Sequence, residues 1–295
     1  MERRNNIAGL LLGCATGDAL GVPYEFLPRG TFLCSGITGH GTHNQPAGTW
    51  SDDTSMTLCL AEAIAEGFSL PLLAGKFQKW RDEAYLSAHD EVFDIGCATN
   101  RAIDNIRNGV DPVMCGGSGE YDNGNGSLMR IAPMVFLSTE YEDVRHVSAI
   151  THAHELSVSA CYLLVKFLEA LRNGESKEKA YMSMLAVDIP SPLANAAIMP
   201  RLTNLYERSE NEIRSSGFVL DTLQASLWSF LTTDSFRDAV LKAVNLGDDT
   251  DTTGAVTGAI AGLYYGVDEI PGAWLDKLAR KDLILDIAGK MGRKV

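Results

Sequence analysis

Two bursts of carboxylates and hydroxyls, far apart in the chain, could do chemistry. Gly48-Thr49-Trp50-Ser51-Asp52-Asp53-Thr54-Ser55-Met56 stands near the start and Gly247-Asp248-Asp249-Thr250-Asp251-Thr252-Thr253-Gly254 near the end. Carboxylates crowded this way repel one another unless a cation sits among them. A helix N-terminus relieves a little of that repulsion and a divalent metal relieves most of it. Asp249 to Gly254 could open an EF-hand loop, but its twelfth position is Ile260, where a bidentate Glu is required. A plain N-cap is the competing reading for both bursts. One Asp suffices for a cap, so Asp248, Asp249 and Asp251 together exceed that need. The pattern therefore points to one or two metals held by oxygen ligands from both ends of the chain, with no Cys or His nearby. Such ligands favour Mg²⁺ or Mn²⁺, allow Ca²⁺ and disfavour Zn²⁺.

The elements that must position these acids read as helices. Each burst precedes a helical stripe, over 53–66 and 253–265. Further helices are expected over 5–17, 71–84, 94–108, 155–172, 175–187, 219–231 and 234–245. Strand-like alternation is scarce, so the expected fold is all-α and a single compact domain over 1–295. Gly9, Gly13 and Gly17 are four apart, as are Gly254, Gly258 and Gly262. Glycine ridges allow close backbone approach, which suggests that these two helices pack centrally and aim their ends at one site. Two long Gly-rich loops, 25–50 and 109–133, are candidates for function.

Other groups carry weaker signals. Asp18 is expected to end the first helix, where its charge opposes the dipole and needs compensation from N–H groups or an Arg. Glu25 follows a Pro-set turn. The loop Asn123-Gly124-Asn125-Gly126-Ser127 could cradle an anion with backbone N–H groups, although a simple turn explains it equally well. His152 stands at a helix start, where it could touch a phosphate or ribose. His40 and His43 read as solvated loop residues.

The chain has 295 residues and a formal charge of −13. No basic stripe exists, which argues against nucleic acid. No run of about 18 apolar residues stands out, so no membrane span is expected. The six cysteines form no C-x-x-C pair. With no signal-peptide pattern either, a reduced, cytoplasmic protein is expected.

Taken in order, G-D-A-L-G-x-P-Y-E, G-T-W-S-D-D-T-S-M, G-N-G-S-L-M-R, T-H-x-H and G-D-D-T-D-T-T-G resemble the motifs of the ADP-ribosylglycohydrolase family. That family includes the bacterial dinitrogenase reductase-activating glycohydrolase and the ADP-ribosylarginine hydrolases. The resemblance runs from about Ile7 to Gly266. It implies an all-α fold with a central binuclear centre of two Mg²⁺ (or Mn²⁺). By motif, Ser51, Asp52 and Asp53 match one metal-ligand group, and Asp249, Asp251 and Thr252 the other. Glu25 matches the glutamate beside the metals and the scissile bond, so that Glu25 and Asp53 are the catalytic candidates. Asn123, Gly124, Asn125, Gly126, Ser127 and His152 match positions that hold diphosphate and ribose. Asp248 stands where many relatives have Gly. The implied activity is hydrolysis of ADP-ribose from a protein side chain, arginine foremost. The implied partners are an ADP-ribosylated protein and ADP-ribose, with an ADP-ribosylating toxin as a further alternative. Serine-linked or free ADP-ribose conjugates, and a non-catalytic ADP-ribose or toxin binder serving immunity, remain open alternatives.

Overall fold

Glycine spacing decides how the two ends of the chain meet. The computed structural model describes residues 2–295, with side chains from Asn6 on. Among the described residues there are thirteen α-helices, isolated bridges and no β-strand. The helices are α1 (Glu2–Gly21), α2 (Asp52–Glu66), α3 (Leu70–Glu83), α4 (Cys97–Arg107), α5 (Tyr141–Ala149), α6 (Glu155–Arg172), α7 (Lys177–Leu185), α8 (Pro192–Leu202), α9 (Val219–Leu231), α10 (Phe236–Val244), α11 (Thr250–Tyr265), α12 (Gly272–Leu275) and α13 (Lys281–Met291).

Helix α11 is the axis. It is buried from Thr250 to Leu263, and its small residues let α1 lie against it in antiparallel register. Gly9, Gly13 and Gly17 face Gly262, Gly258 and Gly254 so closely that a Cβ on Gly13 would stand 2.2 Å from the Gly258 carbonyl oxygen. Backbone meets backbone, as in a membrane helix pair, and each Gly gives up about 1 kcal/mol of helix propensity for it. At the end of this seam the Thr250 hydroxyl donates to the Gly21 carbonyl at 2.8 Å. The last turn of α1 and the first turn of α11 are thereby fixed side by side. The segment Asn6–Tyr24 is apolar and long enough, by composition, to cross a membrane, but 89% of it is buried inside the protein. Here it is a core helix.

The expected helices over 155–172 and 219–231 coincide with α6 and α9, which are long and strongly periodic. Helix α1 does not end before Asp18 but runs to Gly21, which puts that acid inside its last turns. Helix α4 starts at Cys97 rather than 94, leaving Asp94 in a loop with φ 56°. Helices α5, α8, α12 and α13 are additional. Of these, α5, α12 and α13 have no side-chain N-cap, and α8 carries Pro200 in its interior.

Candidate active site

The start of α2 shows why its aspartates are free. Ser51 is the N-cap, and its hydroxyl accepts from Asp53 N at 3.3 Å. Asp18, buried on α1, accepts from Ser51 N at 2.9 Å, Thr54 N at 3.1 Å and the Thr54 hydroxyl at 2.6 Å. The N–H set expected to compensate Asp18 is thus the N-terminus of α2, and it leaves capping to Ser51 and Asp18. Asp52 and Asp53 are buried without that duty.

The start of α11 repeats the situation. Asp249 is the N-cap residue yet makes no side-chain cap bond. One of its oxygens accepts from Asn125 Nδ2 at 2.8 Å. Asp251 Oδ1 accepts from Thr252 N at 2.9 Å. The Thr252 hydroxyl donates to Asp53 Oδ2 at 3.4 Å, so the two bursts, 199 positions apart, touch. Three buried carboxylate oxygens have no hydrogen-bond partner: Asp53 Oδ1, Asp249 Oδ1 and Asp251 Oδ2. Burial holds the Asp52, Asp53 and Asp251 carboxyls well above the usual range, and repulsion from Asp94, Asp18 and Glu25 respectively adds to it. Asp249 is raised by burial despite its hydrogen bonds. Orphaned acid oxygens of this kind are costly unless a cation takes them. The donor set fits an oxygen-coordinated divalent ion.

The rim adds residues that carried no such signal in the sequence. His43 is not solvated: its Nε2 pairs with Glu25 Oε2 and lies 4.0 Å from Asp94 Oδ1. Ligand atoms of Glu25, His43, Asp94 and Asp251 all fall within 4.8 Å of one another. A histidine therefore does stand beside the acids. It gets there because the chain doubles back. His40 and Gln45 bridge, the Thr42 hydroxyl donates to Glu25 O at 2.6 Å, and Gly41 at φ 68° packs so tightly on Pro23 that a Cβ would strike its carbonyl. Asp94 carried no motif; a segment that reads as helix gives no sign that its carboxylate turns inward. Burial lifts Glu25 to about 7, with the His43 bond pulling it down and Asp94 and Asp249 pushing it up. Burial, then Asp249, lifts Asp94 to about 7.

A cleft of about 300 Å³ opens onto this cluster, lined by Glu25, Asp52, Asp94, Asp249 and Thr252 together with Gly124, Asn125, Gly126 and His152. The glycine loop is held by backbone pairing, Asn125 N to Gly217 O at 3.1 Å and Val219 N to Asn123 O at 3.1 Å. Asn125 joins this loop to the acids by donating to both Asp249 and Thr222. Asn123 and Ser127 are not among the lining residues. The Asn123 amide donates to Glu120 O, and Ser127 is fully buried, with its hydroxyl between Ser148 and Cys161. Asp248 is exposed and is not among the lining residues.

Known proteins resemble this chain over nearly its whole length. The profile of the ADP-ribosylglycohydrolase family matches residues 1–295. The chain belongs to the ADP-ribosylglycohydrolase family. It is 37% identical to the ADP-ribosylarginine hydrolase Tri1 of Serratia proteamaculans (strain 568), over 98% of this chain and 80% of that protein. It is 30% identical to the ADP-ribosyl-[dinitrogen reductase] glycohydrolase of Rhodospirillum rubrum, over 95% of this chain and 96% of that protein. A solved structure described as an ADP-ribosylglycohydrolase-related protein complex superposes with a TM-score of 0.85 at 33% identity, covering 99% of both chains. The all-α fold of this chain, which gathers its acids at the α1–α11 seam, matches that solved structure in overall architecture.

Proposed function

We propose that this protein is a metal-dependent hydrolase that releases ADP-ribose from a modified protein side chain, with the N-glycosidic bond to arginine as its substrate linkage. The observation that carries the reading is the meeting of Asp53 with Thr252, with orphaned oxygens of Asp53, Asp249 and Asp251 around it, beside a cleft of ligand size. Ser51, Asp52 and Asp53 from one end of the chain and Asp249, Asp251 and Thr252 from the other would hold two Mg²⁺ or Mn²⁺ ions. Bound there, the ions supply charge that orients ribose hydroxyls and lowers the pKa of a water.

The chain's own residues supply the rest. Cleavage at the anomeric carbon passes through an oxocarbenium-like state, which a nearby carboxylate steadies. Glu25 is that carboxylate, held by His43, and its raised pKa suits it to pass a proton near neutral pH. The acid-rich rim of Glu25 and Asp94 favours a cationic guanidinium as the leaving side. Lining the same cleft, the backbone of Gly124 and Gly126, with His152, offers N–H groups to the diphosphate, so an acidic protein can hold an anionic ligand locally. The names of the relatives from Serratia proteamaculans and Rhodospirillum rubrum support the same chemistry.

The test is release of ADP-ribose, followed by chromatography, from arginine- and serine-linked conjugates with Mn²⁺ or Mg²⁺. Arginine conjugates are expected to turn over, EDTA to abolish turnover, and Asp53→Ala to lower it at least about 100-fold. A metal-loaded, folded protein that cleaves neither linkage would overturn the reading.

A further inference from the structure

Arg130 is the largest polar side chain sealed in the interior, with no exposed surface. Among the described residues it pairs with no carboxylate; its guanidinium lies 4.6 Å over the Phe77 ring, and its Nε and Nη1 have no partner. Burying a cation so is expensive. Its Nη2 reaches Val147 O at 3.2 Å and the Thr151 hydroxyl at 2.8 Å, and the same hydroxyl lies 3.0 Å from His152 Nδ1.

From this chain of contacts we propose that Arg130 and Thr151 form a buried relay that fixes His152 as the neutral tautomer with its proton on Nε2, aimed as a hydrogen-bond donor at a phosphate or ribose oxygen in the cleft. The logic is one of donor counting. A guanidinium only donates, so the Thr151 oxygen must accept from it. The hydroxyl has one proton, and among the described residues His152 Nδ1 is the acceptor it reaches. Its oxygen has a second lone pair that could take a proton from Nδ1, but the hydroxyl's own proton would then have no acceptor among the described residues; with Nδ1 accepting, that proton is satisfied and the ring proton is on Nε2. That nitrogen has no partner among the described residues and lies on the cleft side, beside the loop glycines. A Cβ on Gly126 would stand 2.6 Å from His152 Cε1 and 3.2 Å from Nε2, and one on Gly124 would stand 3.5 Å from Nε2. The glycines thus clear the space that the imidazole edge needs. Burial, with the Arg130 charge adding to it, holds the ring neutral, down to about 3. Arg130 and Thr151 touch no ligand and act as positioning residues. That His152 meets ADP-ribose rests on the function proposed above; the tautomer does not.

Histidine-labelled protein, read by long-range ¹⁵N–¹H correlation at pH 7 without ligand, tests the relay. His152 is expected to show a protonated Nε2 and an unprotonated, hydrogen-bonded Nδ1, and Nε2 is expected to shift when ADP-ribose and Mg²⁺ are added. Thr151→Val should mix the tautomers and weaken ADP-ribose about tenfold in calorimetry. Thr151→Ser should restore both. A wild-type spectrum with the proton on Nδ1, or with both nitrogens protonated, overturns the relay, and this needs no variant to fold. Equal ADP-ribose affinity in wild type and a folded Thr151→Val overturns it as well. A wild type that binds no ADP-ribose overturns the functional reading instead, and the ligand-free spectra still decide the tautomer.

Discussion

Asp248 and Asp249 are neighbours in sequence and opposites in duty. Asp249 sends one oxygen to Asn125 and leaves the other unpartnered among the acids. Asp248 is exposed, and its backbone does its work: its N–H donates to Leu27 O at 3.0 Å and its carbonyl accepts from Phe26 N at 2.7 Å. That pair clasps the Glu25 loop to the start of α11. The clasp requires φ 56° at Asp248, a left-handed conformation that an L-residue other than Gly adopts at some cost. Asp248→Gly is therefore expected to leave metal affinity and turnover unchanged and to be neutral or up to about 1 kcal/mol stabilising in a denaturant melt. A tenfold or greater fall in turnover would make Asp248 a ligand after all. The sequence displays the excess of acids at 248–251 but cannot rank them, because duty here follows backbone direction. His43 and Asp94 are hidden for the same reason. Each reaches the site through a left-handed turn, at His40 or at Asp94 itself, that no local pattern announces.

At the level of elements, the α1–α11 seam does the positioning. Asp18 lies within one turn of Gly21, which α11 holds, and it binds the start of α2, so three helix ends converge. A side chain on this seam cannot rotate out of the way, since its first carbon already meets a carbonyl. Gly13→Ala is expected to destabilise the protein by about 3 kcal/mol or more, by overpacking against backbone, and to weaken divalent-metal binding because Asp251 moves with α11. Gly75, inside α3, provides the control: a Cβ there meets nothing within 4 Å. Gly75→Ala should stabilise by about 0.5–1 kcal/mol through helix propensity alone. Urea denaturation of both variants distinguishes a packing constraint from a general intolerance of alanine. The seam is legible in the sequence, because glycine recurring every four residues weakens an apolar helix and only close backbone packing recovers the loss. The extents of α6 and α9 are legible too, since their long apolar faces leave one register. Helices α5, α12 and α13 are not, because they are short and lack a side-chain cap; α9 lacks the cap too, but its long apolar run marks it without one. In α8 the internal Pro200 obscures the period, even though Ser191 caps it.

Over the whole molecule, the fold gathers acids from residues 18, 25, 52, 53, 94, 249 and 251 into one buried region, and the metal-free protein should register that as a pH-dependent instability. Burial raises these carboxyls, Asp18 to about 6 and Glu25 and Asp94 to about 7, with Asp52, Asp53 and Asp251 well above their usual value. A group raised in the folded state binds more protons folded than unfolded. Its stabilisation is complete below the unfolded pKa near 4 and is lost as pH rises through the folded value. His152 has the opposite sign: held down to about 3, it contributes stability that is present above about 6.5 and lost as pH falls towards 3. The two oppose each other from about pH 4 to 6.5; above that range the acid cluster goes on losing stability, and Lys177, held down to about 8 by burial, works against it only from about pH 8 upward. In EDTA, the melting temperature should therefore fall by several degrees between pH 6.5 and 8.5, at about 2–4 °C per kcal/mol for a chain of this size. Mn²⁺ should restore it, and by more at pH 8.5 than at 6.5, because metal competes with protons for the same oxygens. Asp53→Asn removes one of the crowded charges and should flatten the EDTA slope while reducing the Mn²⁺ response. A melting temperature in EDTA that is level across this window, or a Mn²⁺ gain that does not grow with pH, would mean that these carboxylates are not held against one another as their burial demands.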